Sequence, residues 1–149
     1  MSTINDLKTQ IDAGQITFDP PSATAERLKQ ELLGENSGTK ATALLQKLVL
    51  EISKLQVIRI SSIIRKEGHH GSGRAFDIGN EAIASALLPQ IATNAKVLEL
   101  KIDEIIFDAA VTGQSDRNQW NYDNGSSHTY DAKTLDKHKN HIHFAVKAK

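Results

Sequence analysis

The residues with the most chemical potential in this chain are its histidines, and they are not scattered. His69 and His70 adjoin in a glycine-rich stretch, His138, His141 and His143 gather near the C-terminus, and His128 lies alone between the two groups. His141-Ile142-His143-Phe144-Ala145-Val146 alternates polar with apolar residues, the pattern of a half-buried strand. In such a strand both imidazoles leave one face, opposite Ile142, Phe144 and Val146. Imidazoles held together are costly to bury unless hydrogen-bonded or metallated. The plain alternative is a pair of solvent-facing histidines on an edge strand.

A second block narrows the choice. His70-Gly71-Ser72-Gly73-Arg74-Ala75-Phe76-Asp77 sets a histidine and an aspartate seven positions apart across a glycine turn. A turn of this kind can bring imidazole and carboxylate together. One imidazole from the last strand would complete three N/O ligands with a fourth position open, which is the catalytic rather than the structural zinc pattern. His69 reads as the neighbour of a ligand, His138 as loop surface, and Arg74 as a surface or loop-anchoring residue.

Composition sets the bounds. The chain has 149 residues, with 18 Lys and Arg balancing 18 Asp and Glu, and no cysteine. That length suits one domain over residues 1–149. Zero formal charge argues against a nucleic-acid or acidic-membrane binder. Without cysteine there is no disulfide framework, thiolate nucleophile, Cys-ligated zinc or iron–sulfur cluster. No apolar run approaches the ~20 residues that span a bilayer. The first seven residues lack a basic start and an apolar run, so no signal peptide is expected.

The elements that must position these residues follow from periodicity. Residues 1–21 are weakly patterned and end in Phe18-Asp19-Pro20-Pro21, a stop and helix-entry signal. Ser22 to Leu33 reads as a short helix. A stronger one is expected from an N-cap at Thr39 to Lys54, with Ala41, Leu44, Leu45, Leu48, Ile52 and Leu55 on its buried stripe. Val57 to Ile64 is rich in β-branched residues and reads as a strand. Gly68 to Gly73 reads as a loop, Arg74 to Ile78 as a short strand, and Asn80 as the cap of a helix reaching Leu88 before Pro89. Ile102 to Ala110 is a further strand. Residues 113–134 form a long polar stretch whose Trp120, Tyr122 and Tyr130 could line a cleft or make small local cores. Helices first and strands later, with no βαβ repeat, give an α+β domain. It is expected to pack a helical N-terminal part (1–55) on a small, mostly antiparallel sheet (56–149) that carries the metal site.

His70-x-x-Gly73-x-Ala75-x-Asp77, followed downstream by His141-x-His143, resembles the LAS superfamily of zinc peptidases. The nearest branch is that of the D-alanyl-D-alanine carboxypeptidases and L-alanyl-D-glutamate endopeptidases, whose fold is shared with the hedgehog signalling domain. Ser61-Ser62-Ile63-Ile64-Arg65 lies where that family carries a Ser-Gly-Tyr-Arg-like run, so the resemblance spans residues 57–146. It implies a zinc ion held by His70, Asp77 and His143. Arg65 takes the place of the arginine that binds a substrate carbonyl or carboxylate; otherwise it is a surface arginine ending a strand.

Two departures matter. Gly68 stands where many members have Ser, and Asn140 stands where the carboxypeptidase and endolysin branches place the acidic general base. An amide cannot take a proton usefully at neutral pH, so the base role falls to His141, with Asp131 and Asp136 as more distant candidates. Glu104 and Asp108, in the penultimate strand, are further acids that read at least as well as ordinary strand-surface charges. The resemblance implies metal-assisted amide hydrolysis on peptidoglycan stem peptides, by a monomer with no nucleic-acid partner and no membrane insertion. The implied setting is synthesis in the cytoplasm, then action in the periplasm or cell wall after lysis or through a secretion or injection apparatus. A hedgehog-like zinc-binding module without turnover is the alternative, and a metal-free interaction domain the third reading.

Overall fold

The computed structural model describes residues 2–19 and 23–149; Pro20, Pro21 and Ser22, part of the expected helix entry, lie outside the described residues. Seven α-helices and a mixed seven-stranded sheet make up the described chain, an α+β architecture.

The weakly patterned N-terminus is ordered into two elements. The Ser2 hydroxyl accepts from Asn5 N at 3.1 Å and starts α1 (Thr3–Asp12), in which Leu7 is fully buried. After a turn at Gly14, β1 (Ile16–Phe18) pairs in parallel with β2 (Ile58–Ser62), Ile16 opposite Ile58. The N-terminal part is therefore not purely helical; it supplies the outer strand of the sheet. Helix α2 covers Ala23–Leu33. Helix α3 covers Ala43–Leu55 and is capped by Thr42, not Thr39, because the Thr42 hydroxyl accepts from Leu45 N at 3.2 Å. Leu45, Leu48, Val49 and Ile52 have no exposed surface, so its apolar stripe is the face set against the sheet.

The expected strand at Val57 to Ile64 is β2. The expected loop at Gly68 to Gly73 instead winds into a single turn, α4 (Gly68–Gly71), before β3 (Ala75–Ile78). Asn80 stands at the N-cap position but makes no capping side-chain bond: its side chain ties the start of β2, accepting from Arg59 N at 2.9 Å and donating to Val57 O at 2.9 Å. A 3-10 turn follows at Glu81–Ile83, and α5 (Ala84–Ile91) carries Pro89 within it rather than stopping there. Then come α6 (Asn94–Glu99) and β4 (Ile102–Ile106). That strand ends short of Ala110 because the Asp108 carboxylate accepts from Ala110 N at 3.1 Å and starts a 3-10 turn, Ala109–Thr112.

The polar stretch holds a small hairpin, β5 (Tyr122–Asp123) and β6 (Ser126–Ser127). Asn124 and Gly125, at φ 55° and 77°, make the two-residue turn that such a hairpin favours. Trp120 and Tyr122 are buried in the core, and Tyr130 donates its hydroxyl proton to Tyr122 O at 2.8 Å, so these aromatics build structure. After α7 (Ala132–Asp136), β7 (Ile142–Val146) enters the middle of the sheet, whose order is β1-β2-β3-β7-β4-β5-β6. All five residues of β7 are buried, so the alternating sequence marks two different buried faces instead of a wet and a dry one. On the apolar face Phe144 stacks on Phe76 of β3 at 5.6 Å between ring centroids. His143 projects from the other. No helix among the described residues is long and apolar enough to cross a membrane.

Candidate metal centre

Three pieces of backbone bring the site together. Beyond β2, the Ile63 carbonyl accepts from His70 Nδ1 at 2.7 Å, which fixes the ring carried by the α4 turn. Antiparallel pairing of β3 with β7 sets Asp77 directly opposite His143. Residues in cross-strand register share a face, so carboxylate and imidazole meet side by side. His143 Nδ1 lies 3.1 Å from Asp77 Oδ1, and His70 Nε2 lies 3.4 Å from the same oxygen. His70, Asp77 and His143 are all buried, and one candidate ligand atom from each lies within 4.8 Å of the others. They are the three residues expected to bind the metal.

The donor set fits an ion on its own chemistry. His70 donates through Nδ1, which leaves Nε2 as a bare lone pair, and that buried nitrogen has no hydrogen-bond partner. Leaving such an atom unsatisfied costs roughly 1–3 kcal/mol, a penalty that coordination removes. Donors of a tetrahedral ion at ~2.0–2.1 Å lie about 3.3 Å apart, which the 3.1 and 3.4 Å separations match. Two imidazoles and a carboxylate suit zinc and its first-row neighbours.

The charges are strongly coupled. Burial pushes the Asp77 carboxyl up, but the hydrogen bond of His143 and the adjacent His70 outweigh it and hold the group well below the usual carboxylate range. Burial pulls His143 down, yet its bonds to Asp77 and Glu104 raise it above an ordinary histidine. Glu104 is raised by burial and lowered more by His143. Burial lowers both His138 and His141, which favours the neutral form of each imidazole.

Arg65 and His141 border the three residues without joining them. Arg65 is 56% exposed in its side chain, with one guanidinium nitrogen 3.6 Å from Asp77 Oδ2. His141 immediately precedes β7, half-buried, and donates from Nδ1 to Asn140 Oδ1 at 2.9 Å, which leaves its Nε2 open. Two cavities flank the site and share Arg65. One, of about 510 Å³, is lined by His69, His70, Glu104, His138 and His143. The other, of about 520 Å³, is lined by Ser62, Asp77, Asn140 and His141.

Other acids and histidines sort clearly. Asp131 caps α7, and Asp136 pairs with Arg117 and Lys139, so neither is held at the site. Asp108 is buried against Arg117 at 2.8 Å, a structural pair rather than a strand-surface charge. Arg74 anchors the loop through Ser72 Oγ and Val146 O. His69 is a neighbour, held by Asp103 at 2.6 Å.

Two residues escaped sequence reasoning. Glu104 is no surface charge: it accepts from His143 Nε2 at 2.9 Å. Its only signal was an acid inside an apolar strand, a position that is costly without a partner. His138 is half-buried rather than loop surface, its ring 4.9 Å from His141 and 5.9 Å from His143. Its spacing from Thr134 was the clue, because Nδ1 donates to the Thr134 carbonyl one helical turn back.

Protein-family models, curated proteins and solved structures were compared with the chain, and none of them matches.

Proposed function

We propose that this protein is a metal-dependent peptidase, with zinc as its ion and the stem peptides of bacterial peptidoglycan as its substrate. The observation that carries the reading is the buried His70–Asp77–His143 group, whose His70 Nε2 is an orphaned lone pair on a residue that lines a cavity. The order and spacing of the motif residues supply the substrate class through their resemblance to the LAS peptidases.

When bound, a zinc ion supplies Lewis acidity that lowers the pKa of water toward ~7 and polarises an amide carbonyl. The chain's own residues do the rest. Arg65, exposed at the junction of the two cavities, donates hydrogen bonds to the substrate carbonyl or carboxylate and stabilises negative charge as it develops there. His141 Nε2 takes the proton of the attacking water and returns it to the leaving amine; burial favours the neutral ring that this role needs. His138 offers a second open Nε2 in the other cavity, which fits a proton carrier or a substrate contact. Action on a cell wall would require export or release from the cell that makes the protein.

One observation favours a second reading, a zinc-binding interaction module. Asn140 provides no acid, and Glu104, the carboxylate nearest His143, is already engaged with it. The deciding experiment is digestion of purified peptidoglycan by zinc-loaded protein, with Asp77→Ala as control and mass spectrometry of the released fragments. New amine termini at one stem-peptide bond, absent from the control, establish the peptidase. Intact sacculi beside stoichiometric zinc favour the module, or a peptide substrate outside the cell wall.

A further inference from the structure

The two imidazoles of the site present opposite nitrogens. His70 faces Asp77 with Nε2, its Nδ1 proton engaged by a backbone carbonyl. His143 faces Asp77 with Nδ1, and its Nε2 lies 2.9 Å from Glu104 Oε1. A neutral imidazole carries one ring proton, and the nitrogen that keeps it cannot ligate a metal. For His143 both nitrogens face a carboxylate, so nothing in the ring itself decides between them.

We propose that Glu104 is a positioning residue for the metal: by accepting the Nε2 proton of His143 it delivers the Nδ1 lone pair to the ion. The inference rests on reading His70, Asp77 and His143 as a metal site, and not on the reaction proposed for that site.

The argument is geometric. An ion held by Asp77 and His70 Nε2 excludes a proton from His143 Nδ1, 3.1 Å from the shared carboxylate oxygen. The ring proton must then sit on Nε2, inside a residue that is 7% exposed, where it needs an acceptor. Glu104 Oε1 fills that role. The carboxylate is itself located: it projects from β4, which pairs directly with β7, and His69 lies 3.3 Å from the same oxygen while held by Asp103. His70 and His143 are thus oriented by different devices, a loop carbonyl and a strand carboxylate. Glu104 also adds a second negative charge near the ion. Two imidazoles and Asp77 alone would leave a dication at net plus one; with Glu104 counted the neighbourhood is close to neutral.

Outer partners of metal-bound histidines typically contribute 10–100-fold in metal affinity. The test uses the full chain and zinc, with competition against a chromophoric chelator and ¹⁵N long-range NMR of the histidine rings. In the zinc-loaded wild type His143 is expected as the Nε2–H tautomer. Glu104→Ala should weaken zinc binding 10–100-fold, and Glu104→Gln, which keeps an acceptor oxygen, should recover part of the loss and preserve the tautomer. An Nδ1–H tautomer in loaded wild type overturns the proposal without need of any variant. So does a Glu104→Ala protein that binds zinc within twofold of wild type. A wild type that takes up no zinc overturns the metal reading and this inference together. One that binds zinc with the expected tautomer and leaves peptidoglycan intact removes the peptidase and sustains the role of Glu104.

Discussion

Gly73 is where the turn bearing His70 is locked to the N-terminal half, and replacing it with alanine should do measurable damage. It sits between α4 and β3 at φ +72°, and its carbonyl accepts from Thr42 N, the cap of α3, at 2.9 Å. A Cβ there would overlap the Lys40 carbonyl oxygen outright and lie 2.9 Å from its carbon and 3.3 Å from Ala41 Cα. Left-handed backbone costs a non-glycine residue roughly 1–2 kcal/mol. Forcing a methyl against backbone that cannot rotate away costs about 1–3 kcal/mol more. The sum, about 2–5 kcal/mol, is a large share of the roughly 5–15 kcal/mol that holds a domain together. Gly68→Ala supplies the control: its φ is +63°, but nothing lies within 4 Å of the added carbon, so it pays the conformational cost alone. Urea unfolding of both variants and wild type measures the difference, and zinc affinity of each measures whether the strain reaches His70. Gly73→Ala should be the less stable variant by about 1–3 kcal/mol and the weaker zinc binder. Equal unfolding midpoints for the two alanine variants would refute the steric part of the reasoning, and a Gly73→Ala protein as stable as wild type would refute all of it.

Other substitutions probe the site and its frame. His70→Ala should abolish stoichiometric zinc uptake, whereas His69→Ala should retain it, because only His70 presents an open nitrogen to Asp77; metal analysis after dialysis decides this. His141→Ala should keep zinc and lose roughly 10²–10⁴-fold in turnover on whatever stem peptide is cleaved, and wild-type turnover would remove it as the base. Arg117→Ala strands the buried Asp108 carboxylate and should destabilise the fold, read as a lower urea midpoint than wild type. The Arg117 hydrogen bonds hold the Asp108 carboxyl below the usual range against the effect of burial, so its stabilisation is complete above an unfolded pKa of about 3.9 and fades as pH falls through the lower folded value. The stability gap between wild type and Arg117→Ala should therefore narrow from about pH 7 to about pH 3, and a constant gap in denaturant melts would contradict the assignment. A fragment of residues 56–149 should neither unfold cooperatively nor bind zinc. It lacks Leu45, Leu48, Val49 and Ile52 of α3, each worth roughly 1.5–3 kcal/mol when buried; a two-state melt of the fragment would overturn this.

What could be read from the sequence follows from how far each signal reaches along the chain. The stripe of α3 repeats every three or four residues, so its buried face is visible in a short window. The grouping of His70, Asp77 and His143 was legible because His70 and Asp77 lie on one turn-and-strand unit and His143 sits in a strand of alternating character. Signals carried by one residue or by the partner strand were lost. Helix α1 buries only Leu7 fully, too thin a stripe to register, and β1 is three residues whose existence depends on β2. The cap of α3 moved from Thr39 to Thr42 because the choice between two threonines depends on where the Gly73 carbonyl arrives. Asn124-Gly125 was a legible hairpin turn inside a stretch that its polar composition made look irregular. Glu104 could not be placed from β4 alone, since its partner is set by the register with β7.

The same logic explains why the N-terminal part is no appendage to the metal-site core. The peptide group joining Ile63 to Ile64 works in both directions: its carbonyl accepts from His70 Nδ1 at 2.7 Å, and its N–H points to the buried Glu31 carboxylate of α2 at 3.4 Å. A negative charge beyond the N–H polarises the peptide and makes its carbonyl a better acceptor, which in turn enriches the lone pair on His70 Nε2. Thr42 holds the far side of the same turn through Gly73. Helices α2 and α3 thus grip the segment carrying His70 at its two ends, between β2 and α4 and again after α4, while the sheet holds Asp77 and His143 by register. The histidine from the turn needs helical support because a four-residue helix has no packing face of its own, and the aspartate and histidine from the sheet need none.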